Sequence, residues 1–372
     1  MTQPALNPAA FSDPGLCRGL LRTLEQELDR PLRFMEVCGT HTVAIFRSGL
    51  RSLLPEGIEH LSGPGCPVCV THDREIAACM ALAAQDSVCI ATFGDLMRVP
   101  GSGGKTLQQA QAEGADVTVV YSPLDALALA RQRPDRNIVF LGVGFETTAP
   151  TIAASVQMAR REKLSNFSVL AFHKLVPPAL DALLTAGATT ESAGRGIDAF
   201  LLPGHVSTIL GLAPYRFMSD VHGKPGVIGG FEPADILQSL LLMVDMRKKG
   251  RPAIVNQYSR VVSDTGNARA RAVLFDVFSL SDALWRGIGE IPASGLAMRA
   301  EYEDHDAWKR FALSLPEAPE IIGCKCGDVL KGLCAPNQCP LFGTACTPAA
   351  PVGPCMVSTE GSCAAYFKYM VV

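Results

Sequence analysis

An excess of positive charge is the first thing this sequence lacks. Its 33 Lys and Arg residues are outnumbered by 36 Asp and Glu residues, and the sequence pI is near 6.2. The longest basic cluster, residues 247–251, is typical of the solvated last turn of a helix. With no basic patch to bind phosphates, a nucleic-acid role is excluded.

Long apolar runs and a secretory leader are also missing. The opening stretch MTQPALNPAAFSDPG has no basic segment followed by an apolar core, and ILQSLLLMVDM, among the longest apolar runs, is too short to span a bilayer. We therefore expect a cytoplasmic protein with no membrane partner. Because the cytosol keeps thiols reduced, its 13 cysteines indicate metal or redox chemistry rather than structural disulfides.

The C-terminal segment, from residue 324 onward, has few large aliphatic side chains but many cysteines. A loop-rich segment of this composition buries too little apolar surface to order itself unaided, so we expect a metal or covalent links to hold it. Four of its thiols are separated by twelve, six and sixteen residues: Cys326, Cys339, Cys346 and Cys363. Such a set suits a [4Fe-4S] cluster or a structural zinc ion, and the absence of paired C-x-x-C knuckles favours iron–sulfur.

Most of the remaining chain alternates between apolar runs of strand length and helical stretches. Strands are predicted over 32–37, 88–91, 117–121, 138–142, 169–172 and 199–202, and helices over 14–29, 74–84, 107–113, 150–161 and 178–185. This alternation predicts an α/β fold with parallel sheets. We divide the chain into a first α/β domain (1–130), a second (131–250) and a mixed, cysteine-rich domain (251–372). The N-terminal helix is a candidate to pack on the third domain.

Polar motifs follow the predicted strands. Because ligands of open α/β sheets bind beyond the carboxyl ends of the strands, these loops are expected to line one or two facing clefts. The six motifs are CGTHT (38–42), GPGCPVC (63–69), FGD (93–95), GFETT (144–148), FHK (172–174) and PGHVS (203–207).

Two of these motifs contain cysteines whose neighbouring residues indicate a functional rather than a structural role. Cys66 and Cys69 form a C-x-x-C turn ahead of a helix, which indicates a redox dithiol or half of a metal site. Cys38 is followed by His41, so we interpret it as a metal ligand or nucleophile rather than a core residue. His41 has three possible roles: an iron ligand, a hydrogen-bonding partner of the thiolate, which we favour, or a helix cap.

Three further polar residues could serve the cleft or the structure alone. His173 and His205 each follow a strand, where a lone histidine is often only a hydrogen-bonded structural residue. Glu146 either stabilises a helix N-terminus or acts as an acid in the cleft. GSGGKT (101–106) departs from the phosphate-loop pattern because position 99 is Val99, so we interpret it as a polar turn.

Taken together, the motifs resemble those of the HypD family of [NiFe]-hydrogenase maturation proteins. The segments that carry the resemblance span nearly the whole chain: FMEVCGTHT, GPGCPVCVT, TFGDLMRVPGS, GFETTAP, LPGHVSTI, CGDVLKG, CPLFGTACTP and GPCMVSTEGSCAAY. The resemblance implies two Rossmann-like domains and a third with a [4Fe-4S] cluster. It also implies a scaffold that, with HypC, assembles an iron atom bearing two cyanides and one carbon monoxide, with cyanide from HypE and the hydrogenase large subunit as an indirect partner.

The resemblance assigns roles residue by residue. Cys38 would bind the nascent iron with a cysteine of HypC, and Cys66 and Cys69 would be a redox pair or further iron ligands, which leaves disulfide and iron ligation open. The cluster would be held by Cys326, Cys339, Cys346 and Cys363. Cys355 is the strongest rival among the three extra thiols. Cluster and dithiol would then form an electron relay.

Hypotheses of different classes follow. The first is an assembly scaffold, for which it stays open whether the chain is itself an enzyme. The second is a stand-alone iron–sulfur thiol-disulfide oxidoreductase, which would have no need of the third thiol Cys38 beside His41. A third, an α/β protein with a structural zinc tail, requires a colourless protein that holds zinc.

Overall fold

The computed structural model describes residues 8–189, 196–317 and 321–370 of the chain. Within them the protein is built on two parallel sheets and one hairpin. The strands are β1 (Leu32–Glu36), β2 (Ile58–Ser62), β3 (Val88–Thr92), β4 (Val117–Val119), β5 (Asn137–Gly142), β6 (Phe167–Ala171), β7 (Ala199–Pro203), β8 (Gly226–Gly229), β9 (Ile254–Asn256), β10 (Phe278–Trp285) and β11 (Gly289–Met298).

Helices cover both faces of the sheets, which confirms the predicted α/β class. They are α1 (Pro14–Glu27), α2 (Gly39–Arg47), α3 (Leu50–Leu53), α4 (Pro67–Val70), α5 (Asp73–Ala83), α6 (Leu107–Ala112), α7 (Pro123–Gln132), α8 (Ala149–Glu162), α9 (Val176–Thr189), α10 (Gly204–Leu210), α11 (Arg216–Asp220), α12 (Pro233–Lys248), α13 (Ala268–Val277), α14 (Ala307–Arg310), α15 (Cys326–Leu330) and α16 (Ser362–Tyr369).

The strand order of the two sheets differs from the domain division expected from the sequence. The first sheet has the order β2-β1-β7-β8-β9 and the second the order β4-β3-β5-β6, all strands parallel. The second sheet is thus inserted between two halves of the first, and residue 130 lies inside α7, which packs on β5. Local patterns mark strands but not their partners, so the pairing of Phe34 with Ala199 is invisible in the sequence.

Two other parts of the expected division also differ. Helix α1 packs against α12, on the first sheet, rather than on the C-terminal domain. β9 belongs to the first sheet, while β10 and β11 pack on the second, where Leu175 donates its backbone N–H to Ser294 at 2.8 Å. Of the mixed region and C-terminal cysteine-rich domain expected over 251–372, the mixed region thus belongs to the two sheets, and the cysteine-rich part carries α15 and α16.

A buried ion pair lies where α5 meets the loop after β6. Lys174 Nζ donates to Glu75 Oε1 at 2.5 Å, and both side chains are almost completely buried. Burial raises the pKa of Glu75, and the positive charge of Lys174 opposes that rise. The FHK loop is thus attached to α5 by a buried ion pair. Because water does not reach this pair, it cannot take the place of either charge.

Lys174→Met is expected to lower the free energy of unfolding by about 3–5 kcal/mol, because it leaves the Glu75 carboxylate buried without the positive charge that neutralises it, although the His72 N–H still donates to it. Chemical denaturation measures the loss. Lys248→Met, which breaks an exposed pair with Glu27, is the control and should change little. If Lys174→Met costs no more than this control, the pair does not stabilise the fold.

Candidate metal centre

The loops after β1 and β2 lie directly against each other. A Cβ on Gly65 would be 2.2 Å from the Cys38 backbone nitrogen, so only glycine allows this approach. Gly39 N donates to Gly65 O at 3.0 Å across the same contact. The motifs CGTHT and GPGCPVC, predicted to line one cleft, are therefore neighbours at the carboxyl end of the first sheet.

Cys38 is the residue that precedes α2, and its thiol is buried. Burial, followed by the negative charge of Glu360, raises the pKa of this thiol to about 12. The backbone N–H groups of His41 and Thr40 contact the sulfur and act in the opposite direction. A bound cation would therefore compete with a firmly held proton, and the two N–H groups would stabilise the resulting thiolate.

Glu36, which sequence reasoning missed, supports the Cys38 loop from below. This carboxyl is buried, accepts the Cys38 N–H at 2.9 Å and accepts the Thr42 hydroxyl at 2.6 Å. His60 Nε2 lies 3.8 Å from it. Burial raises the pKa of Glu36 to about 8. The signal in the sequence is a glutamate at the end of a strand whose neighbouring residues Phe34 and Met35 are apolar, where a buried charge requires dedicated partners.

The His41 side chain points away from the role that we favoured. Its Nε2 lies 3.0 Å from the Gly230 carbonyl, and its ring packs on Phe231 with centroids 4.6 Å apart. Burial lowers the pKa of His41 to about 4, which makes the ring a neutral donor to Gly230. Within the described residues, it is the backbone N–H of His41, not the ring, that contacts the Cys38 sulfur.

Cys66 and Cys69 are joined by a disulfide with their Cα atoms 5.2 Å apart. Both residues are buried, Cys66 precedes α4, and the Cys69 N–H points at the Cys66 sulfur at 3.2 Å. The two sulfurs are thus paired as a disulfide, one of the two states that the sequence left open.

Mild reductant should expose two more thiols in the wild-type protein, because the C-x-x-C turn holds both sulfurs close enough to form and break their bond. Thiol titration before and after reduction, under denaturing conditions, measures the difference, and Cys66→Ser should abolish it. An unchanged count in the wild type would indicate permanent metal ligation instead.

Within the described residues, six tail cysteines line one small cavity. They are Cys324, Cys326, Cys339, Cys346, Cys355 and Cys363, and the other lining residues are Leu341, Phe342, Gly353 and Met356. Within this wall the Cys355 thiol hydrogen-bonds those of Cys326 and Cys363. In the part of the chain that the structure describes, no three His, Cys, Asp or Glu side chains are grouped to hold one metal ion. The cavity thiols instead surround a common space.

The segment between Cys355 and Cys363 connects this cavity to Cys38. Glu360 accepts the Thr40 hydroxyl at 2.8 Å, and a Cβ on Gly39 would lie 2.5 Å from the Glu360 Cβ. Ser358 donates to Asp95 of the FGD loop at 2.9 Å, and α4 contacts the turn Pro354–Met356. Thus one segment contacts the Cys38 loop, the dithiol helix and the FGD loop.

Comparison with known proteins agrees with this arrangement. The sequence model of HypD, described as "Hydrogenase formation hypA family", matches residues 16–370. The chain belongs to the HypD family. It is 46% identical over 371 residues to hydrogenase maturation factor HypD of Rhodobacter capsulatus. The aligned region covers 96% of this chain and 97% of the relative.

Other HypD relatives match over similar lengths. The Escherichia coli (strain K12) hydrogenase maturation factor HypD is 46% identical over 347 residues, or 93% of this chain and 91% of the relative. HypD2 of Bradyrhizobium diazoefficiens is 44% identical over 362 residues, or 96% and 95%. As a member of this family, the chain is a hydrogenase maturation factor. In its described residues no helix is both long and apolar enough to cross a membrane.

The other HypD motifs follow strands of both sheets. Glu146, after β5, is buried and accepts the Val176 N–H at 2.9 Å. His173, after β6, is buried against Phe278, whereas His205, after β7 of the first sheet, is exposed and packs on Phe231, the ring that also contacts the His41 ring. Of the two histidines, His205 is thus the one linked, through Phe231, to His41 of the Cys38 loop.

Proposed function

We propose that this HypD-family chain is an assembly scaffold that, together with HypC, holds an iron atom while two cyanides and one carbon monoxide are added for a [NiFe] centre. Cyanide would come from HypE, and the hydrogenase large subunit would receive the product indirectly. The observation that carries the proposal is the third thiol. Cys38 is buried on a loop that packs against the dithiol loop, but it belongs neither to the C-x-x-C turn nor to the wall of the tail cavity, and Glu360 of the tail accepts the hydroxyl of the nearby Thr40.

The substrate iron suits this site for chemical reasons. Soft thiolate stabilises the low-spin Fe(II) that cyanide and carbonyl require. Binding replaces the thiol proton of Cys38, and the N–H groups of Thr40 and His41 are already directed at the sulfur to stabilise its charge. The cysteine of HypC would complete the thiolate set from outside, so we place the HypC docking surface at the mouth of the Cys38 loop.

The tail cavity supports a resident [4Fe-4S] cluster. Its donors are all thiols, which are the ligands such clusters take, and its remaining lining is apolar. We propose Cys326, Cys339, Cys346 and Cys363 as the ligands; the thiol contacts of Cys355 with two of them keep Cys355 as the rival. When bound, the cluster would supply electrons for the neighbouring disulfide. Helix α4 and the turn Pro354–Met356 keep the two in contact.

A stand-alone thiol-disulfide oxidoreductase is the alternative. It is favoured by the disulfide itself, which lies in the same hydrophobic core as Cys326, Cys346, Cys355 and Cys363. An oxidoreductase of this kind assigns no role to Cys38. It also gives no reason for Gly39 and Gly65, which allow neighbouring segments to pack against the Cys38 loop.

Anaerobic co-purification with HypC tests the two functions. The scaffold predicts a stable complex with iron beyond that of the cluster and with infrared bands of cyanide and carbonyl. A brown protein that reduces disulfides but shows neither bands nor a HypC complex would establish the oxidoreductase instead. A colourless protein containing zinc would contradict both.

A further inference from the structure

A buried arginine lies in the turn between β10 and β11. Arg286 is only 7% exposed, and its Nε donates to the Thr71 carbonyl at 2.9 Å while its Nη1 donates to the carboxylate of Asp73. Within the described residues, its buried Nη2 has no hydrogen-bond partner. Buried polar groups in native proteins are nearly always paired, so this N–H donor indicates an acceptor other than these residues.

The turn is hydrogen-bonded to the segment that carries the dithiol. The backbone N–H of Arg286 donates to the Val70 carbonyl at 2.9 Å, and Trp285 pairs with Thr71 in an antiparallel bridge. Val70 is the residue after Cys69, at the end of α4. The position of the guanidinium is therefore fixed relative to the disulfide.

The same turn contacts the cysteine-rich tail on its other side. A Cβ on Gly287 would lie 2.2 Å from the Gly327 Cα, and a Cβ on Gly327 would lie 2.6 Å from the Gly287 Cα, so the two backbones touch. Gly327 follows Cys326, the first of the proposed cluster ligands, in α15. Cys326 and both dithiol cysteines belong to one hydrophobic core. The turn that carries Arg286 thus connects the dithiol with the proposed cluster.

A fixed positive charge in this place acts on the energy of an added electron. Arginine keeps its proton in proteins, and an apolar core screens its charge much less than water does. Reduction of an iron–sulfur cluster adds one negative charge, and nearby charges and hydrogen bonds to sulfur set its potential. Asp73 opposes Arg286, but the positive charge prevails at Cys326. The hydrogen bond with Cys355 comes first in lowering the pKa of Cys326, against burial, and Arg286 then lowers it more than Asp73 raises it.

We propose that Arg286 is the fixed cation of the electron relay: its charge stabilises an electron on the tail cluster, and its turn holds the dithiol beside that cluster. This inference rests on the cluster assigned under the proposed function. Each electron comes from a low-potential one-electron donor by way of the cluster. Two such electrons and two protons break the Cys66–Cys69 bond and leave two thiols.

Redox titration of the anaerobic protein with dithionite, followed by electron paramagnetic resonance of the reduced cluster, tests the inference. Arg286→Gln removes the charge and should lower the equilibrium constant for reduction about 10-fold, the scale of one unit charge in a protein interior. For a one-electron couple this makes the midpoint potential about 60 mV more negative. Arg286→Lys keeps the charge and should stay close to wild type.

Arg133→Gln is the matched control. It also breaks an arginine–aspartate pair, because Arg133 donates from both Nη atoms to Asp116. Asp116 directly precedes β4, at the amino end of the second sheet, whereas the dithiol follows the carboxyl end of a strand of the first sheet. The midpoint potential of Arg133→Gln should equal that of wild type.

Asp73→Asn separates the charge of Arg286 from its structural contacts. Arg286→Gln and Asp73→Asn break the same ion pair, so a purely structural role predicts shifts of the same sign or no shift. The charge predicts opposite shifts, because loss of the Asp73 carboxylate leaves more positive charge and should make the potential less negative. If Arg286→Gln fails to fold, a less negative potential in Asp73→Asn supports the inference, and any other result overturns it.

The outcomes distinguish this inference from the function beneath it. Wild-type protein that gives no iron–sulfur signal after reduction would overturn both the cluster and the inference. A wild-type signal with equal midpoint potentials in Arg286→Gln and Asp73→Asn would overturn the inference alone, and the ion pair would then be only a structural contact.

Discussion

Cys38→Ser is expected to remove the substrate iron completely, with loss of every cyanide and carbonyl band, while the tail cluster and the Cys66–Cys69 disulfide persist. Serine keeps the shape of the side chain but replaces a soft sulfur with an oxygen that low-spin iron binds poorly. The backbone contacts with Glu36 and Gly65 do not involve the sulfur, so the loop should keep its conformation.

Metal analysis and infrared spectroscopy of the co-purified complex measure this result. Cys17→Ser is the matched control, because Cys17 is a partly exposed thiol on α1, away from the Cys38 loop. Cys38→Ser protein that co-purifies with HypC and retains normal bands would show that another residue binds the iron.

Cys346→Ala is expected to bleach the protein and to loosen the tail. Cys346 is buried, lines the cavity and accepts the Val352 N–H at 3.3 Å, so its loss removes a proposed ligand and a local contact together. Because metal binding supplies folding free energy to a segment that is short of apolar core, the tail should become sensitive to protease. Iron and sulfide content, visible absorption and limited proteolysis measure the two effects.

Two other cysteine variants make this test specific. Cys334 does not line the cavity, so Cys334→Ala should keep its colour and its protease resistance. Cys355→Ala decides between the rival ligand sets: full iron and sulfide content supports the four proposed ligands, and bleaching replaces one of them with Cys355. Full content in Cys346→Ala would refute its assignment.

The sequence predicted six of the strands, β1 and β3 to β7, and the motifs that follow most of them, but it did not predict β2, β8, β9 or the hairpin β10–β11. Strands such as β5 and β7 are largely continuous apolar runs because both faces of a parallel sheet are covered, and each is followed by a polar loop. The contact of CGTHT with GPGCPVC follows from β1 and β2 being neighbours. Glycines at positions 39 and 65 carried a hint of that contact, since their use is clear only once a second backbone is present.

What the sequence did not reveal is pairing at long range. The second sheet is inserted into the first because β1 pairs with β7 rather than with a strand nearer in sequence. The buried strands share the same local apolar pattern, so that pattern does not identify which strands pair. Glu360, near the end of the sequence, reaches the Cys38 loop and accepts the Thr40 hydroxyl there. Such residues are defined by their neighbours in space, so only the structure identifies them.

The central claim is that one iron, separate from the tail cluster, is bound by the Cys38 sulfur. Mössbauer spectroscopy of the ⁵⁷Fe-enriched HypC complex tests it most directly, because low-spin Fe(II) with cyanide and carbonyl ligands gives a signal distinct from that of an iron–sulfur cluster. We expect this low-spin signal beside the cluster signal in wild type and Cys17→Ser, and the cluster signal alone in Cys38→Ser. A low-spin signal of equal size in Cys38→Ser would contradict the claim.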